Sequence, residues 1–278
     1  MPGRRDFLKA GALASAAWAL ALGIAAPSGL PAAGAESAPI QDNSFLIEEA
    51  YNQEARVVQH ISAWSRFAPG GGWLYAFTQE WPAFGQSHQL SYTVLVLQRE
   101  PGSGVVRGLG DLLLNYRYQW LGRGGERVAV APRLSVVLPT GDPDRGLGAG
   151  AAGAQLNFPT SVTLARAWVA HSNAGATWIG ESDAREALLG VNLGQSVVWL
   201  ARPAVNLLLE LAWDRFEALG NAAGDDREEH LFLSPGIRWA HDFESGLQIV
   251  PGIAAPIGLG ASPGENAVLL YLSFEHGF

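Results

Sequence analysis

The chain has 278 residues, with 34 glycines, 10 tryptophans, no cysteine and a formal charge of −8 at pH 7. The lack of cysteine excludes a disulfide framework, a thiolate metal site and a cysteine nucleophile. The acidic balance argues against nucleic acid as a partner, since binding nucleic acid demands a basic surface. Sparse charge combined with many glycines and tryptophans favours an all-β protein with many turns and with aromatic residues at interfaces.

The first 35 residues have the pattern of an export signal. Residues 4–9 form a charged n-region, residues 10–26 are a largely apolar stretch, and residues 33–35 offer a small-x-small cleavage site. We predict a signal peptide over residues 1–35 with cleavage after Ala35, the alternative being an uncleaved anchor. The Arg-Arg-x-Phe-Leu-Lys spacing is also twin-arginine-like. The twin-arginine pathway exports folded proteins, whereas a barrel protein must cross the periplasm unfolded. For a β-barrel the match is therefore either chance or an anomaly. Cleavage leaves 15 basic and 25 acidic side chains and no lysine.

The rest of the chain is predicted to be a periplasmic N-terminal segment over residues 36–54 and a β-barrel over residues 55–278. The pattern of residues 36–54 leaves open whether they fold into the barrel, plug it or hang below it. Beyond them, segments that alternate in character are separated by Gly, Pro, Asp and Asn, which is typical of strands. An even number of them suits a bacterial barrel with both ends in the periplasm. The twelve predicted strands are 55–67, 72–81, 87–98, 109–121, 127–139, 154–165, 168–180, 186–200, 203–215, 230–240, 246–258 and 265–278.

The two faces of these strands indicate a membrane barrel rather than a soluble sandwich. In residues 109–121, Leu114, Tyr116 and Tyr118 share one face, while Asn115 and Arg117 share the other. A soluble sandwich would place many charged residues on its polar faces, whereas here the apolar faces are almost unbroken and the other faces carry few charges. We therefore predict a transmembrane antiparallel up-and-down β-barrel of about 12 strands, apolar outside and polar inside.

The connections and the last strand support the same architecture. Predicted inner turns such as 166–167 and 201–202 are short, whereas the longest predicted connections, residues 140–153 and 216–229, fall on the outer side. That asymmetry is typical of outer-membrane barrels. The final strand ends in Phe278 and resembles the closing strand of Gram-negative outer-membrane barrels, which the barrel-assembly machinery reads. We therefore expect the Gram-negative cell outer membrane as the location, with outer-membrane lipid, lipopolysaccharide and the assembly machinery as partners.

Three stretches carry a family resemblance. They are residues 45–54 running into 57–61, residues 108–118 with Gly-Leu-Gly-Asp-Leu at the start, and residues 133–142 with Leu-Pro-Thr-Gly-Asp at the end. With them, the chain resembles the outer-membrane proteins of the meta-pathway of phenol degradation, barrels often called transporters. The resemblance implies an outer-membrane location and a barrel architecture. It also favours small hydrophobic or aromatic compounds as the solute, whereas the predicted polar lumen favours polar compounds.

Charged side chains on or near predicted inward faces are the candidate lumen lining. Such charges are costly in an apolar surround unless they are paired or hydrated. They form either a charged constriction that selects solutes or a hydrogen-bonded interior that fills a narrow lumen and holds strand register. Arg117 and Arg133 lie on neighbouring predicted strands, as do Glu210 and Arg238. The full set of candidates is Arg56, His60, Arg66, Asp111, Arg117, Arg133, Glu210, Asp214, Arg238 and Glu275.

The sequence contains no clear motif for metal binding or catalysis. Residues 139–144 space two carboxylates like part of a calcium loop but lack the other EF-hand ligands, and turn chemistry explains them equally well. None of the six histidines lies in a Gly-x-Ser-x-Gly context. We therefore predict no catalytic residue, metal or cofactor, and a porin-like channel for the passive uptake of small solutes. The alternatives are a structural or plugged barrel without transport, and an outer-membrane enzyme acting on lipid.

Overall fold

A computed structural model describes residues 40, 44–100, 104–122, 126–182, 186–219 and 227–278, and the predicted signal peptide lies outside this part of the chain. Every regular element in the described residues is a β-strand. No helix among them is long and apolar enough to cross a membrane. The strands are β1 Val57–Ala68, β2 Trp73–Pro82, β3 His88–Arg99, β4 Val106–Tyr118, β5 Val128–Val130, β6 Arg133–Leu138, β7 Gly153–Asn157, β8 Thr160–Ala165, β9 Trp168–Ile179, β10 Leu188–Arg202, β11 Val205–Ala218, β12 Arg227–Trp239, β13 His241–Asp242, β14 Gln248–Ala254, β15 Ile257–Gly258 and β16 Asn266–Gly277.

The 16 strand segments make up twelve full strands of one antiparallel barrel, and we call each full strand a stave. This confirms the predicted fold class. Proline explains why three staves consist of two segments, because it has no N–H to donate to the ladder. Pro132 separates β5 from β6, Pro159 separates β7 from β8, and Pro256 separates β14 from β15. The short β13 extends the hairpin that leads into β14.

The barrel closes where its first strand meets its last. β1 pairs with β16 along its whole length, from Val57 opposite Gly277 to Ala68 opposite Asn266. We call the end of the barrel at Val57 the turn end and the opposite end the loop end. The turn end has two-residue connections at 166–167 and 203–204, whereas residues 139–152 form a long connection at the loop end. This asymmetry is typical of outer-membrane barrels.

The wall of the barrel is apolar outside and carries its buried polar groups inside. Leu114 is 46 % exposed, whereas Arg117 on the opposite face of the same strand is 1 % exposed. In β11, Leu209 is exposed while the next residue, Glu210, is fully buried. A water-soluble barrel would show the reverse distribution. The outer surface therefore suits hydrocarbon and the inner wall suits polar partners.

Residues 44–54 lie inside the barrel, which corrects the expected periplasmic placement for the described part of residues 36–54. We call this segment the strap. Residues 44–53 are buried, and Glu54 is partly exposed where the segment reaches the turn end. The strap has no strand or helix, so its buried backbone groups need partners outside regular structure. The polar inner wall supplies them.

Candidate functional site: a closed lumen

The strap crosses the lumen between the middle of the barrel and the turn end. The amide of Ile40 donates to the carbonyl of Pro203 at 3.3 Å, which places the start of the described chain beside the β10–β11 turn. Ser44 Oγ lies 2.6 Å from Ser196 Oγ of β10. From there the chain reaches the start of β1 on the other side of the lumen, where the amide of Val57 donates to the carbonyl of Glu54. The strap therefore spans the lumen from one wall to another.

Side chains of the inner wall accept hydrogen bonds from the backbone amides of the strap. Glu210 Oε1 accepts from Leu46 at 2.8 Å and from Ile47 at 3.1 Å. In a strand such amides would donate to a neighbouring strand, so the wall side chains replace a backbone ladder. The inner wall is therefore the docking surface of the strap. The other amides held in this way are Glu48 by Asn173 Oδ1 (2.7 Å), Ala50 by Ser161 Oγ (2.8 Å), Asn52 by Gln119 Oε1 (2.8 Å) and Gln53 by Gln89 Oε1 (2.7 Å).

The carboxylate of Glu48 is the charged centre of the strap. Its Oε1 lies 2.9 Å from Arg133 Nε and 3.4 Å from Arg117 Nη1, and its Oε2 accepts from Asn157 Nδ2 at 2.9 Å. The two arginines lie directly opposite each other in the β4–β6 register. Neighbouring like charges repel, and a buried charge without a partner is costly. Glu48 offsets this repulsion by lying between the two guanidinium groups.

Arg117 also binds the strap through groups other than Glu48. Its Nε donates to Asn52 Oδ1 at 2.9 Å, and its Nη groups donate to the carbonyls of Glu49 and Tyr51. Burial, with the Glu49 carboxylate as a smaller cause, raises the pKa of Tyr51 to about 12. The Tyr51 hydroxyl is therefore protonated at neutral pH, and the strap docks there as a neutral ring.

The sequence pattern predicted that Arg117 and Arg133 lie on neighbouring strands, but it did not identify Glu48 as their partner. The signal was present, because two like charges side by side on an inner wall need an anion. Residues 48 and 49 are an acidic pair in the segment that precedes β1. A segment without periodicity gives no indication of where it will lie, so charge balance was the available clue.

Seven of the ten predicted lumen residues lie on the inner wall. Asp214 Oδ1 is 3.0 Å from His230 Nδ1 on the next strand, a partner that the sequence pattern did not suggest. Glu210 binds the strap amides described above, and Arg238 of β12 lies opposite Gly252 of β14. The seven residues, each 7 % exposed or less, are Asp111, Arg117, Arg133, Glu210, Asp214, Arg238 and Glu275.

Arg56, His60 and Arg66 do not line the lumen, which corrects the sequence-based expectation. Successive residues of a strand point to opposite faces, and in β1 the buried face includes Ile61. His60 lies on the outer surface, where its ring stacks on Phe274 with centroids 4.7 Å apart. Arg66 shares that outer face and is exposed, and Arg56 lies in the turn before β1.

A second closure lies at the loop end, where residues 139–152 fold into the barrel mouth. We call this segment the lid. Asp111 Oδ1 accepts from the amide of Gly141 at 3.0 Å, and its Oδ2 accepts from the amide of Ala149 at 2.6 Å. Leu147 is 4 % exposed, and a Cβ at Gly108 would lie 2.7 Å from its Cδ1. The Gly-Leu-Gly-Asp-Leu and Leu-Pro-Thr-Gly-Asp stretches therefore meet at the lid.

An apolar zone covers one side of the inner wall, on β2, β3, β4 and β16, while other strands carry buried polar residues such as Gln155, Thr177 and His230. Phe45 of the strap borders this zone, with its ring centroid 5.4 Å from that of Tyr271. Leu147 of the lid belongs to the same buried cluster. A solute beside Leu147 of the lid would therefore contact the apolar side of the wall. The apolar zone is lined by Leu74, Leu95, Leu97, Leu113, Leu269 and Tyr271, each 5 % exposed or less.

Two features that could suggest other chemistry have structural partners. Ser161 Oγ lies 2.8 Å from His171 Nδ1, but both residues are buried, and the same hydroxyl accepts from the strap amide of Ala50. In the lid, Asp142 Oδ1 accepts from the amide of Arg145 at 3.2 Å, as in a turn. The described residues contain no group of three or more His, Cys, Asp or Glu side chains that could hold a metal ion.

Comparison with known proteins identifies the family. The family described as "Putative MetA-pathway of phenol degradation" matches residues 34–254, most of the chain. The chain belongs to this family. The match confirms the resemblance carried by residues 45–61, 108–118 and 133–142. No curated protein matches the chain by sequence.

Solved structures with the same fold are outer-membrane channels and porins. The COG4313 outer membrane channel from Pseudomonas putida F1 is 14 % identical with a TM-score of 0.60, and the match covers 81 % of this chain and 96 % of that chain. The NanC porin is 7 % identical with a TM-score of 0.55, and the match covers 77 % of this chain and 98 % of that chain. The protein is therefore an outer-membrane β-barrel of the Gram-negative type. In outer-membrane barrels the short turns face the periplasm and the long loops face the exterior.

Proposed function

We propose that this barrel is a passive channel for small solutes that is closed at rest by the strap and the lid. The observation that carries the proposal is the strap, an irregular segment whose amides bind side chains of the wall. Hydrogen bonds and one buried ion-pair cluster hold it in place. Contacts of this kind are reversible, so the strap can leave a lumen whose wall is already polar. Diffusion through that lumen requires no cofactor.

The solutes that this lumen suits are small and apolar or aromatic. Some polar groups of the wall are engaged by the strap, such as Glu210, and others pair within the wall, as Thr78 does with Thr93. On the apolar side of the wall, a polar solute would lose its hydration without gaining a partner. An aromatic compound would instead gain about 25 cal/mol for each Å² of apolar surface that it buries there.

The alternatives make different demands on the structure. A structural or permanently plugged barrel would keep the strap docked under all conditions. A lipid-acting enzyme would need an accessible nucleophile, whereas the hydrogen-bonded pair Ser161 and His171 is buried beside the strap. We therefore propose a protein without enzymatic activity, in which this pair anchors Ala50.

Single-channel recording in planar bilayers tests the proposal. Wild type should show brief, small openings, and a variant that lacks residues 44–54 should show large, steady current steps. Both samples should first show the heat-modifiable migration of a folded barrel. A folded, strap-deleted barrel that conducts no current would contradict the channel.

Flux into proteoliposomes tests the solute class separately. The strap-containing protein should pass a neutral aromatic compound faster than a sugar of similar size. Equal rates for the two compounds would leave the channel intact but contradict the preference for apolar solutes. Hydrolysis of lipid that depends on Ser161 would instead establish the enzyme.

We also propose that β16 is the strand read by the barrel-assembly machinery, and that lipopolysaccharide surrounds the loop end. In support of the first point, β16 forms the closing seam with β1, and Phe278 is 71 % exposed beyond it. Deletion of Phe278 should lower the amount of folded barrel in outer-membrane fractions, measured by heat-modifiable migration. An unchanged yield would remove this role from Phe278.

A further inference from the structure

Two histidines face each other on the outer surface, across the seam that closes the barrel. His60 lies on β1 opposite Phe274, and His276 lies two residues further along β16. The Nε2 atoms of the two imidazoles are 3.3 Å apart. The ring centroids are 5.4 Å apart, with 22° between the ring planes. Neither ring contributes to the strap, the lid or the lumen.

Neighbouring groups hold both rings in place. The ring of His60 stacks on Phe274 and lies 6.3 Å from the ring of Phe77. His276 Nδ1 lies 3.0 Å from the carbonyl oxygen of Gly277. Because a carbonyl oxygen only accepts, Nδ1 carries the proton and Nε2 presents a lone pair toward His60. Metal-binding histidines usually donate their other ring N–H in this way.

The separation of the two nitrogens fits a shared metal ion. A zinc–nitrogen bond is about 2.0–2.1 Å long, so two such bonds at the tetrahedral angle place their nitrogens about 3.3–3.4 Å apart. Hydrogen bonds from N–H groups to oxygen commonly span about 2.7–3.2 Å in proteins. The observed 3.3 Å is at the long end for a hydrogen bond between the rings and matches the spacing of two zinc ligands.

We propose that His60 and His276 bind one zinc-class divalent cation, which joins the first strand of the barrel to the last. The two imidazoles supply half of a tetrahedral shell. Both rings are partly exposed and lie where β1 begins and β16 ends, at the edge of the apolar outer wall, so water can occupy the two remaining positions. The ligands come from strands 216 residues apart in sequence, and they meet only when the seam is closed. The cation therefore binds the closed barrel in preference to the open one.

Zinc titration of the mature folded protein in detergent, after removal of metals by EDTA, tests the site. Calorimetry should show one zinc ion per barrel for wild type. His60→Ala and His276→Ala should each weaken binding by at least tenfold. His88→Ala is the matched control, because His88 is an outward-facing histidine that bonds Tyr116 instead of another histidine. Copper(II) as a spectroscopic probe should show two nitrogen ligands in wild type and one in either variant.

Unfolding measurements test the consequence for the seam. With zinc at 100 times the wild-type dissociation constant, the ratio of folded to unfolded barrel should rise about 100-fold for wild type and about tenfold or less for His60→Ala. No binding up to millimolar zinc, or binding that survives both substitutions, would overturn the site. Binding that leaves unfolding unchanged would overturn the proposed link between the strands. None of these results depends on whether the barrel conducts solutes.

Discussion

Replacing Glu48 with alanine should release the strap from the lumen. Glu48→Ala removes the carboxylate between Arg117 and Arg133, together with the bond from Asn157. Both arginines then stay buried without an anion for as long as the strap is docked. When the strap leaves, water enters the lumen and hydrates them, so the destabilisation falls on the docked state alone.

The size of the effect follows from the burial of the three groups. Their side chains are 1–6 % exposed, so solvent screens them little. Breaking a buried ion pair by removing one partner costs about 3–5 kcal/mol. At about 1.4 kcal/mol for each factor of ten, the ratio of undocked to docked strap should rise roughly 10²–10⁴-fold. Glu48→Gln keeps the shape and one acceptor, so its effect should be smaller.

Cysteine labelling measures the undocked fraction directly. The chain has no cysteine, so Ala50→Cys introduces a single reactive site in the strap. Ala50 is fully buried in the closed lumen, and a maleimide reagent should modify Cys at this position only when the strap leaves. Adding Glu48→Ala should speed labelling by at least 100-fold and lengthen the openings in bilayer recordings.

Two controls make this result specific. Glu217→Ala removes a glutamate whose partner Arg215 lies outside the strap and whose side chain is 42 % exposed, so labelling of Cys at position 50 should not change. Arg133→Ala added to Glu48→Ala removes one uncompensated charge and should restore part of the docking. A folded Glu48→Ala barrel that labels at the rate of its parent would refute the idea that the buried charges hold the strap.

Three further substitutions probe the lid, the apolar zone and the strap. Asp111→Asn should weaken the lid by about 1.5–3 kcal/mol through the loss of charged hydrogen bonds, seen as faster trypsin cleavage after Arg145, while Asp144→Asn on the exposed part of the lid should not. Leu147→Ala should cost the lid packing about 2–5 kcal/mol and raise aromatic flux; unchanged flux would show that the lid does not limit entry. Burial raises the pKa of Tyr51 from 10.0 to about 12, so the docking contribution of its neutral form is complete below pH 10 and is lost as the pH rises through about 12. Conductance should increase across that window, and by less in Tyr51→Phe, which keeps every other titratable group of the barrel.

The sequence predicted the staves well because each strand of a membrane barrel separates lipid from lumen. That separation imposes a period of two, as Leu114 and Asn115 illustrate. In β1 the same rule assigned the wrong face. The outer face of β1 carries His60 and Arg66, whereas its inner face carries Ile61 because that side borders the apolar zone. In β1, therefore, a polar residue does not mark the inward face, because inward residues such as Ile61 contact apolar groups of the lumen.

The strap escaped prediction because its contacts are long-range and its backbone is irregular. Glu48 binds Arg133 and Asn157, which lie 85 and 109 residues further along the chain. No local periodicity encodes such contacts. The residue-by-residue pairing of neighbouring strands also gives no information about a segment outside the sheet. The usable information was the balance of charge between the strap and the wall.

The positions of its partners also fix when the strap docks. Glu48 contacts arginines on β4 and β6, while Leu46 donates to Glu210 on β11 and Gln53 donates to Gln89 on β3. These strands surround the lumen, so the docking surface is complete only after the barrel has closed. Until then, water hydrates the arginines of the wall. Docking is therefore a late step, and Glu48→Ala should leave the rate of barrel closure unchanged while it alters the closed lumen. A slower appearance of the heat-modifiable barrel in that variant would instead place the strap in the folding nucleus.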